Sequence, residues 1–212
     1  MISIAVPSCV VAVDSFVSRT VWLYPEEELM LVNACRRRRC EFVTTRWCID
    51  RAFDRFGLSR SCLTYGEKGQ PIWPIGYLGS ITHCKGYAAV VVALSTDVRI
   101  LGIDAEPMFP LPPGVLSLIS LEEERTRLGE LFKRNPSIAW DRLLFCVKEA
   151  LYKAWPAADG YTIPSFLNAN VTFAVDNCFS AEVLGMSYGP MMLCGRWAIC
   201  RDYFVACVFS SI

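Results

Sequence analysis

Apolar and polar positions recur along this chain at two different periods, and the changes of period mark its elements. Over 26–58, "EEELMLVNACRRRRCEFVTTRWCIDRAFDRFGL", apolar residues return at helical spacing with charges between them, and Gly57 supplies a stop. The next stretch, 64–79, carries five glycines and prolines between Gly66 and Gly76 and predicts an ordered loop. Strand-like runs follow at 88–94 and 99–106. "FPLPPG" at 109–114 predicts a linker, which divides the chain into an N-terminal lobe, 1–108, and a C-terminal lobe, 109–212. Beyond it, "SLEEERTRLGELF" predicts a helix capped by Ser117 or Ser120, and "AWDRLLFCVKEALYKAW" (139–155) predicts a second, stopped by Pro156. The tail from 166 reads as mostly β and ends in a hairpin over 195–210. At the N-terminus, "ISIAVPSCVVAV" has no basic region before it and Asp14 after it, so it predicts a buried strand rather than a secretory signal.

Two of these hairpins resemble one another. "GSITHCKGYAAVVVAL" (79–94) and "GRWAICRDYFVACVFS" (195–210) align without a gap at an offset of 116 residues, sharing Gly79/Gly195, Cys84/Cys200, Tyr87/Tyr203 and Val92/Val208. Four identities in sixteen positions are also what convergent hairpin composition could give. The common strand–turn–strand pattern, with a helix before each copy, favours an internal duplication. The expected fold class is therefore α+β, a pseudo-twofold pair of similar α/β lobes with a site in the cleft between them. His83, the only histidine, aligns with Ile199. The copies differ where chemistry would be expected.

Composition narrows the function classes. Hydrophobic residues make up 53% of 212, enough for a sizeable core, but the longest apolar run, "YAAVVVAL", is far short of the roughly 20 residues that cross a bilayer. Lys+Arg and Asp+Glu balance at 21 each, which argues against a general nucleic-acid binder, so any anion must be held locally. Eleven cysteines are scattered with no CxxC spacing, and a single histidine makes a zinc site a poor reading. The thiols are expected to pack mostly as small hydrophobes in a reducing, cytoplasmic compartment.

Four short constellations could carry chemistry. In "LGIDAEP" (101–107) Asp104 and Glu106 share one face of a strand. Two adjacent carboxylates are costly to desolvate, a cost that a hard divalent cation such as magnesium resolves; a strand end reaching solvent is the plain alternative. In "FCVKEALYKAW" (145–155) Glu149 and Lys153 stand four apart on one helical face. That spacing describes an ordinary salt bridge, or else a third metal ligand and general base, with Lys148 and Lys153 free for phosphate oxygens. Arg38, within "RRRRC", and Arg46 are eight residues apart, about two helical turns, and arginine forks suit phosphate. A run of four arginines is also an ordinary solvated face or a nucleic-acid patch. Lys68 lies between Gly66 and Gly69, where a backbone can come close to an anion.

Taken together and in order, "GEKGQPIWP…GSITHC", "LGIDAEP" and "FCVKEALYKAW" resemble the signature motifs of the 4′-phosphopantetheinyl transferases, of the monomeric two-lobed kind that serves siderophore, nonribosomal peptide and polyketide synthesis, and most of all its actinobacterial branch. The likeness runs from about Arg36 to Trp155. It implies transfer of the 4′-phosphopantetheine arm of coenzyme A to a serine of an apo acyl or peptidyl carrier protein, with magnesium or manganese as cofactor, coenzyme A as co-substrate and adenosine 3′,5′-bisphosphate as leaving group. It implies Asp104, Glu106 and Glu149 as metal ligands; Glu149, Lys153 and Asp104 as the catalytic set; and Arg38, Arg46, Lys68, Thr82, His83, Lys148 and Lys153 as contacts to coenzyme A. Cys40 departs from the family's basic run before Glu41, so the choice of Arg38 among Arg36–Arg39 rests on its spacing to Arg46. A coenzyme A or nucleotide-binding module without transferase activity, or a carrier-binding partner, is the competing class; a nucleic-acid reading rests on "RRRR" alone.

Overall fold

The computed structural model describes residues 2, 5–67, 69–154, 165–184 and 191–211. Lys68, Trp155 and Pro156 lie outside the described residues. Strands β1 (Val11–Ser15), β2 (Tyr77–Cys84) and β3 (Tyr87–Leu94) form one sheet in the order β1-β3-β2, and helices α1 (Pro25–Leu29) and α2 (Arg36–Asp54) belong to the same half. A second sheet runs β4-β8-β7-β6-β5, from β4 (Val98–Pro107), β5 (Ala169–Phe173), β6 (Cys178–Val183), β7 (Met191–Cys200) and β8 (Tyr203–Ser211). Helices α3 (Val115–Ile119), α4 (Glu122–Arg134) and α5 (Trp140–Ala154) lie between β4 and β5 in sequence. The strand pairs are antiparallel throughout.

The apolar periods explain the layers. Cys48, Ile49, Ala52 and Phe53 form one stripe of α2 and bury against Val90 and Val92 of β3. Leu143, Val147, Leu151 and Ala154 do the same for α5 against Ala206 and Val208 of β8. The opposite faces of the two sheets meet: Ala89 and Val91 from one, Val205 and Cys207 from the other, share a core with Ile103 and Ala105. The molecule is thus layered helix, sheet, sheet, helix.

The duplication is visible in this packing. At the 116-residue offset, Ala89/Val205 and Val91/Cys207 both face the shared core, and Val90/Ala206 and Val92/Val208 both face their own helix. The registers match as well: Gly79 pairs Val92 and Gly195 pairs Val208, while Cys84 pairs Tyr87 and Cys200 pairs Tyr203. Tyr87 and Tyr203 stack with ring centres 5.2 Å apart. A Cβ on Gly79 would come within 2.5 Å of Trp73, and one on Gly195 within 2.3 Å of the Cys207 carbonyl oxygen, so both copies need glycine for close approach.

Several expected boundaries move. The helix over 26–58 is two helices, because the chain turns at Met30–Asn33 and restarts at the extended Cys35; this brings Glu27 of α1 beneath Arg46 of α2. Gly57 does end the helix. At φ +67°, its N–H reaches the Asp54 carbonyl at 3.2 Å while Leu58 N–H reaches Phe53 at 3.1 Å, the Schellman pattern. Neither Ser117 nor Ser120 caps α4, since their hydroxyls donate back to Gly114 and Leu116; Glu124 instead accepts from Leu121 N–H at 2.8 Å. The N-terminal strand is confined to Val11–Ser15, and the glycine–proline loop ends at Gly76, where β2 begins. The cysteines are less uniformly buried than expected. None forms a disulfide; Cys48, Cys146, Cys200 and Cys207 are buried, whereas Cys9, Cys35, Cys40 and Cys194 are exposed. Among the described residues no helix is long and apolar enough to cross a membrane.

Candidate active site

β2 and β4 are edge strands of different sheets, and side-chain hydroxyls join them. Ser80 Oγ accepts from Ile103 N–H at 3.0 Å, and Thr82 Oγ1 accepts from Ala105 N–H at 3.1 Å, so the outer N–H groups of β4 are satisfied without a ladder. Thr82 then donates to Asp104 Oδ1 at 2.9 Å. On the other side, the missing Cβ of Gly102 admits α5: a methyl there would lie 2.2 Å from the Ala150 carbonyl oxygen. That close approach sets Glu149 and Lys153 beside Asp104. Lys153 Nζ donates to Asp104 Oδ1 at 2.6 Å.

The electrostatics of this group are strained by burial. Asp104 is 4% exposed, and its Oδ2 is buried with no hydrogen-bond partner among the described residues. Burial and the nearby Asp104 charge push Glu149 above the ordinary glutamate range, against the pull of Lys153. Glu149 makes no hydrogen bond or ion pair among the described residues. Glu106 is raised for the same two reasons, partly offset by Arg142, whose Nη1 donates to its carboxylate at 2.8 Å. Burial alone would lower Lys153, but Asp104 and Glu149 raise it overall, so it stays an ammonium at neutral pH.

These groups form one wall of a cavity of about 760 Å³, within the range of small-ligand sites. Aromatic side chains, among them Tyr65, Trp73, Phe145 and Tyr152, line it beside the acids. Arg38 and His83 line it too, with Arg38 Nη1 2.6 Å from His83 Nε2. Of the other arginines in the run, Arg39 pairs with Glu28 at 2.7 Å, Arg37 stands 3.7 Å from Glu41, and Arg36 is exposed. The cavity therefore gathers Asp104, Glu106, Glu149, Lys153, Thr82, His83 and Arg38 from two strands and two helices far apart in sequence.

Two expected contacts are placed elsewhere. Lys148 is 1% exposed on the far side of α5, where its three donors go to Glu124 at 2.7 Å and to the Phe166 and Ala169 carbonyls at 2.9 Å each. Arg46, also 1% exposed, donates to Glu27 at 2.6 Å and to the Leu63 carbonyl at 2.9 Å. Its Nη1 has no partner among the described residues, and its guanidinium lies 4.0 Å from the centre of the Phe42 ring and 5.6 Å from that of Tyr65. Lys68 falls outside the described residues. Sequence reasoning missed Arg142 and Glu41. Arg142 had a readable signal: it precedes Glu149 by seven residues, two turns, on the same helical face.

Comparison with known proteins then fixes the family. Residues 26–93 match the 4′-phosphopantetheinyl transferase N-terminal domain and residues 100–208 the 4′-phosphopantetheinyl transferase superfamily. The chain belongs to the 4′-phosphopantetheinyl transferases. Relatives include the 4′-phosphopantetheinyl transferase Svp of Streptomyces mobaraensis, 42% identical over 83% of this chain and 74% of its own length. PptT of Mycobacterium tuberculosis is 38% identical over 87% of this chain and 84% of its own. A more distant one, enterobactin synthase component D of Salmonella typhimurium, is 31% identical over 77% of this chain and 66% of its own. The transferase is thus an enzyme of the family its motifs resemble, with the two-sheet α+β fold expected of it.

The acids of the transferase suit a hard divalent cation in kind. All the donors are carboxylate oxygens, Asp104 Oδ2 is buried and unpartnered among the described residues, and the Asp104 charge raises both Glu106 and Glu149. Among the described residues, however, no three such side chains converge closely enough to enclose an ion; Lys153 and Arg142 stand on two of the carboxylates instead.

Proposed function

We propose that this transferase moves the 4′-phosphopantetheine arm of coenzyme A onto a serine hydroxyl of an apo acyl or peptidyl carrier protein, as a cytoplasmic monomer that requires magnesium or manganese. The observation that carries this reading is the unpartnered Asp104 Oδ2 beside Glu149 and Lys153 in the wall of a cavity that also presents Arg38 and His83. An acid cluster next to cations in one cavity suits a ligand that is itself polyanionic and reacts at phosphorus.

The serine oxygen attacks the β-phosphorus of coenzyme A, the bond from that phosphorus to the bridging oxygen breaks, and adenosine 3′,5′-bisphosphate leaves with the electron pair. Glu149 takes the serine proton: it is raised above ordinary glutamates, unpaired, and faces the cavity. Lys153, kept charged by Asp104, stands where charge grows on the phosphate oxygens. Arg38 and His83, which line the same cavity, hold a phosphate, and the aromatic walls exclude water. Magnesium, when bound by Asp104, Glu106 and Glu149, would add Lewis-acid stabilisation of the diphosphate. The name of one relative, enterobactin synthase component D, points to siderophore synthesis as a setting, and the motif resemblance adds nonribosomal peptide and polyketide synthesis.

Mass spectrometry of apo carrier proteins incubated with coenzyme A, magnesium and this protein tests the reading. A phosphopantetheine mass gain that disappears with a chelator is expected. No gain on several acyl and peptidyl carriers, with magnesium or manganese, would sink it.

A further inference from the structure

His83 sits between two charged side chains of α2. Arg38 Nη1 lies 2.6 Å from its Nε2, and Glu41 Oε2 lies 3.4 Å from its Nδ1. A guanidinium only donates and stays charged at all relevant pH values. Contact at 2.6 Å therefore requires a bare lone pair on Nε2, which puts the ring proton on Nδ1, facing the carboxylate. Nothing in the fold demands this arrangement, since the equivalent position in the second hairpin is Ile199.

We propose that Glu41 is a positioning residue that, together with Arg38, fixes His83 as the neutral Nδ1–H tautomer in the free protein, so that His83 can donate from Nε2 to a phosphate only by taking up a proton from solvent. The binding half of this proposal rests on coenzyme A as ligand. When a phosphate draws Arg38 away, Nε2 loses its donor, and a proton gained there places the imidazolium between two anions, the phosphate and Glu41. Every charged neighbour bears on this step: Arg38 and Glu41 from α2, Lys153 from α5 and Asp104 from β4, while the thiol of Cys84 on β2 itself, pushed up to about 12 by burial, stays neutral. In the free protein burial, then Arg38 and Lys153, hold His83 below the ordinary histidine range, against Glu41 and Asp104. Binding reverses the sign of the local charge and raises it. Proton uptake accordingly falls in the pH window between the lowered free value and the raised bound one. Below that window His83 is already charged; through it, coenzyme A binding weakens as pH rises, by at most about tenfold per pH unit.

The chain has one histidine, so ¹⁵N spectra of its imidazole need no assignment. In the free protein at pH 7, Nδ1 is expected protonated and Nε2 bare. With Arg38→Met, so that nothing donates to Nε2, Glu41 alone is expected to keep that tautomer, and Glu41→Gln, whose amide oxygen can also accept the N–H, to keep it too, whereas Glu41→Leu added to Arg38→Met lets the proton move to Nε2. A carboxylate serving only its exposed pair with Arg37 would leave the tautomer unchanged in both variants. With coenzyme A added, both nitrogens are expected protonated in the wild type. Calorimetry in two buffers of different ionisation heat should then show uptake of about one proton more than in His83→Gln, whose own value reports the phosphate's titration. Glu41→Leu is expected to weaken coenzyme A binding about tenfold, the loss of one charge-assisted contact. An Nε2–H tautomer in the free wild type, an unchanged tautomer when Glu41→Leu is added to Arg38→Met, or bound coenzyme A with His83 still neutral would each overturn the proposal. No coenzyme A binding at all would overturn the proton uptake together with the transferase chemistry, while the free-state tautomer would still decide the role of Glu41.

Discussion

Arg46 on α2 and Lys148 on α5 occupy matching surroundings in the two halves of the molecule. Each is buried, each pairs with a glutamate from the helix before it, and each also donates to a backbone carbonyl. The two glutamates hold the same place in their helices: Glu27 accepts from Tyr24 N–H at 3.1 Å and Glu124 from Leu121 N–H at 2.8 Å. The difference lies in donors left over. Lysine has three and all are used; arginine has five, and Arg46 keeps Nη1 unpaired among the described residues, close to the cavity-lining ring of Tyr65. One half closes its buried cation into scaffold, and the other leaves a donor that a phosphate could claim. The hairpins repeat the lesson: β2–β3 and β7–β8 share register and packing, but only the first carries Thr82 and His83, where the second has Ala198 and Ile199.

The largest effect should come from opening the closed hub. Lys148→Met strands the Glu124 carboxylate in the core and is expected to cost about 3–5 kcal/mol in urea unfolding. Arg46→Met should cost less, about 2 kcal/mol, because Arg60 still reaches Glu27 at 3.1 Å. Equal losses would mean that the two hubs are not different in kind. Asp104→Ala removes the acid that organises Thr82, Lys153 and the other carboxylates, and turnover measured by carrier mass gain should drop by about 10³-fold. Glu149→Gln should lose about 10²-fold and also change the pH profile. In the wild type, Glu149 works as base only when ionised, so turnover should fall as pH drops through its value, and rising magnesium, by holding the carboxylate ionised, should move that acid limb down from the raised range of the metal-free protein. Glu149→Gln should lack that limb. The smallest effects test the hairpins directly. His83→Ile should raise KM for coenzyme A about tenfold with stability little changed, and Ile199→His, at an exposed site, should alter stability by no more than about 0.5 kcal/mol.

Much of the fold was legible because periods of apolar residues survive tertiary contact. The runs at 88–94 and 99–106 became β3 and β4, and 139–155 became α5 as far as it is described. The repeat was legible too, since a two-residue hairpin turn fixes register and register fixes which residues face the core. Less legible was the break after α1. Nothing local stops a helix at Leu29; the ion pair between Glu27 and Arg46 requires the turn, and a pair nineteen residues apart leaves no trace in periodicity. The caps of α4 were misread for a related reason, as a serine near a helix start is only one of several acceptors, and Glu124 was already aimed backward by its buried bond to Lys148.

The sequence by itself determined the identities that chemistry needs: two carboxylates on one strand face, a glutamate and a lysine one helical turn apart, and a single histidine before an apolar run. Their order along the chain was enough to show the resemblance to a family. Which basic residues face the cavity was decided only by the tertiary structure. Spacing made Lys148 and Lys153 equal candidates, and Arg38 and Arg46 a pair. Five residues along a helix is more than one turn, so Lys148 and Lys153 point to different faces, and only contact with another element decides which face is cavity and which is core. Gly102 set that contact by letting α5 close on β4, and with it Lys153 met Asp104 while Lys148 was left to Glu124.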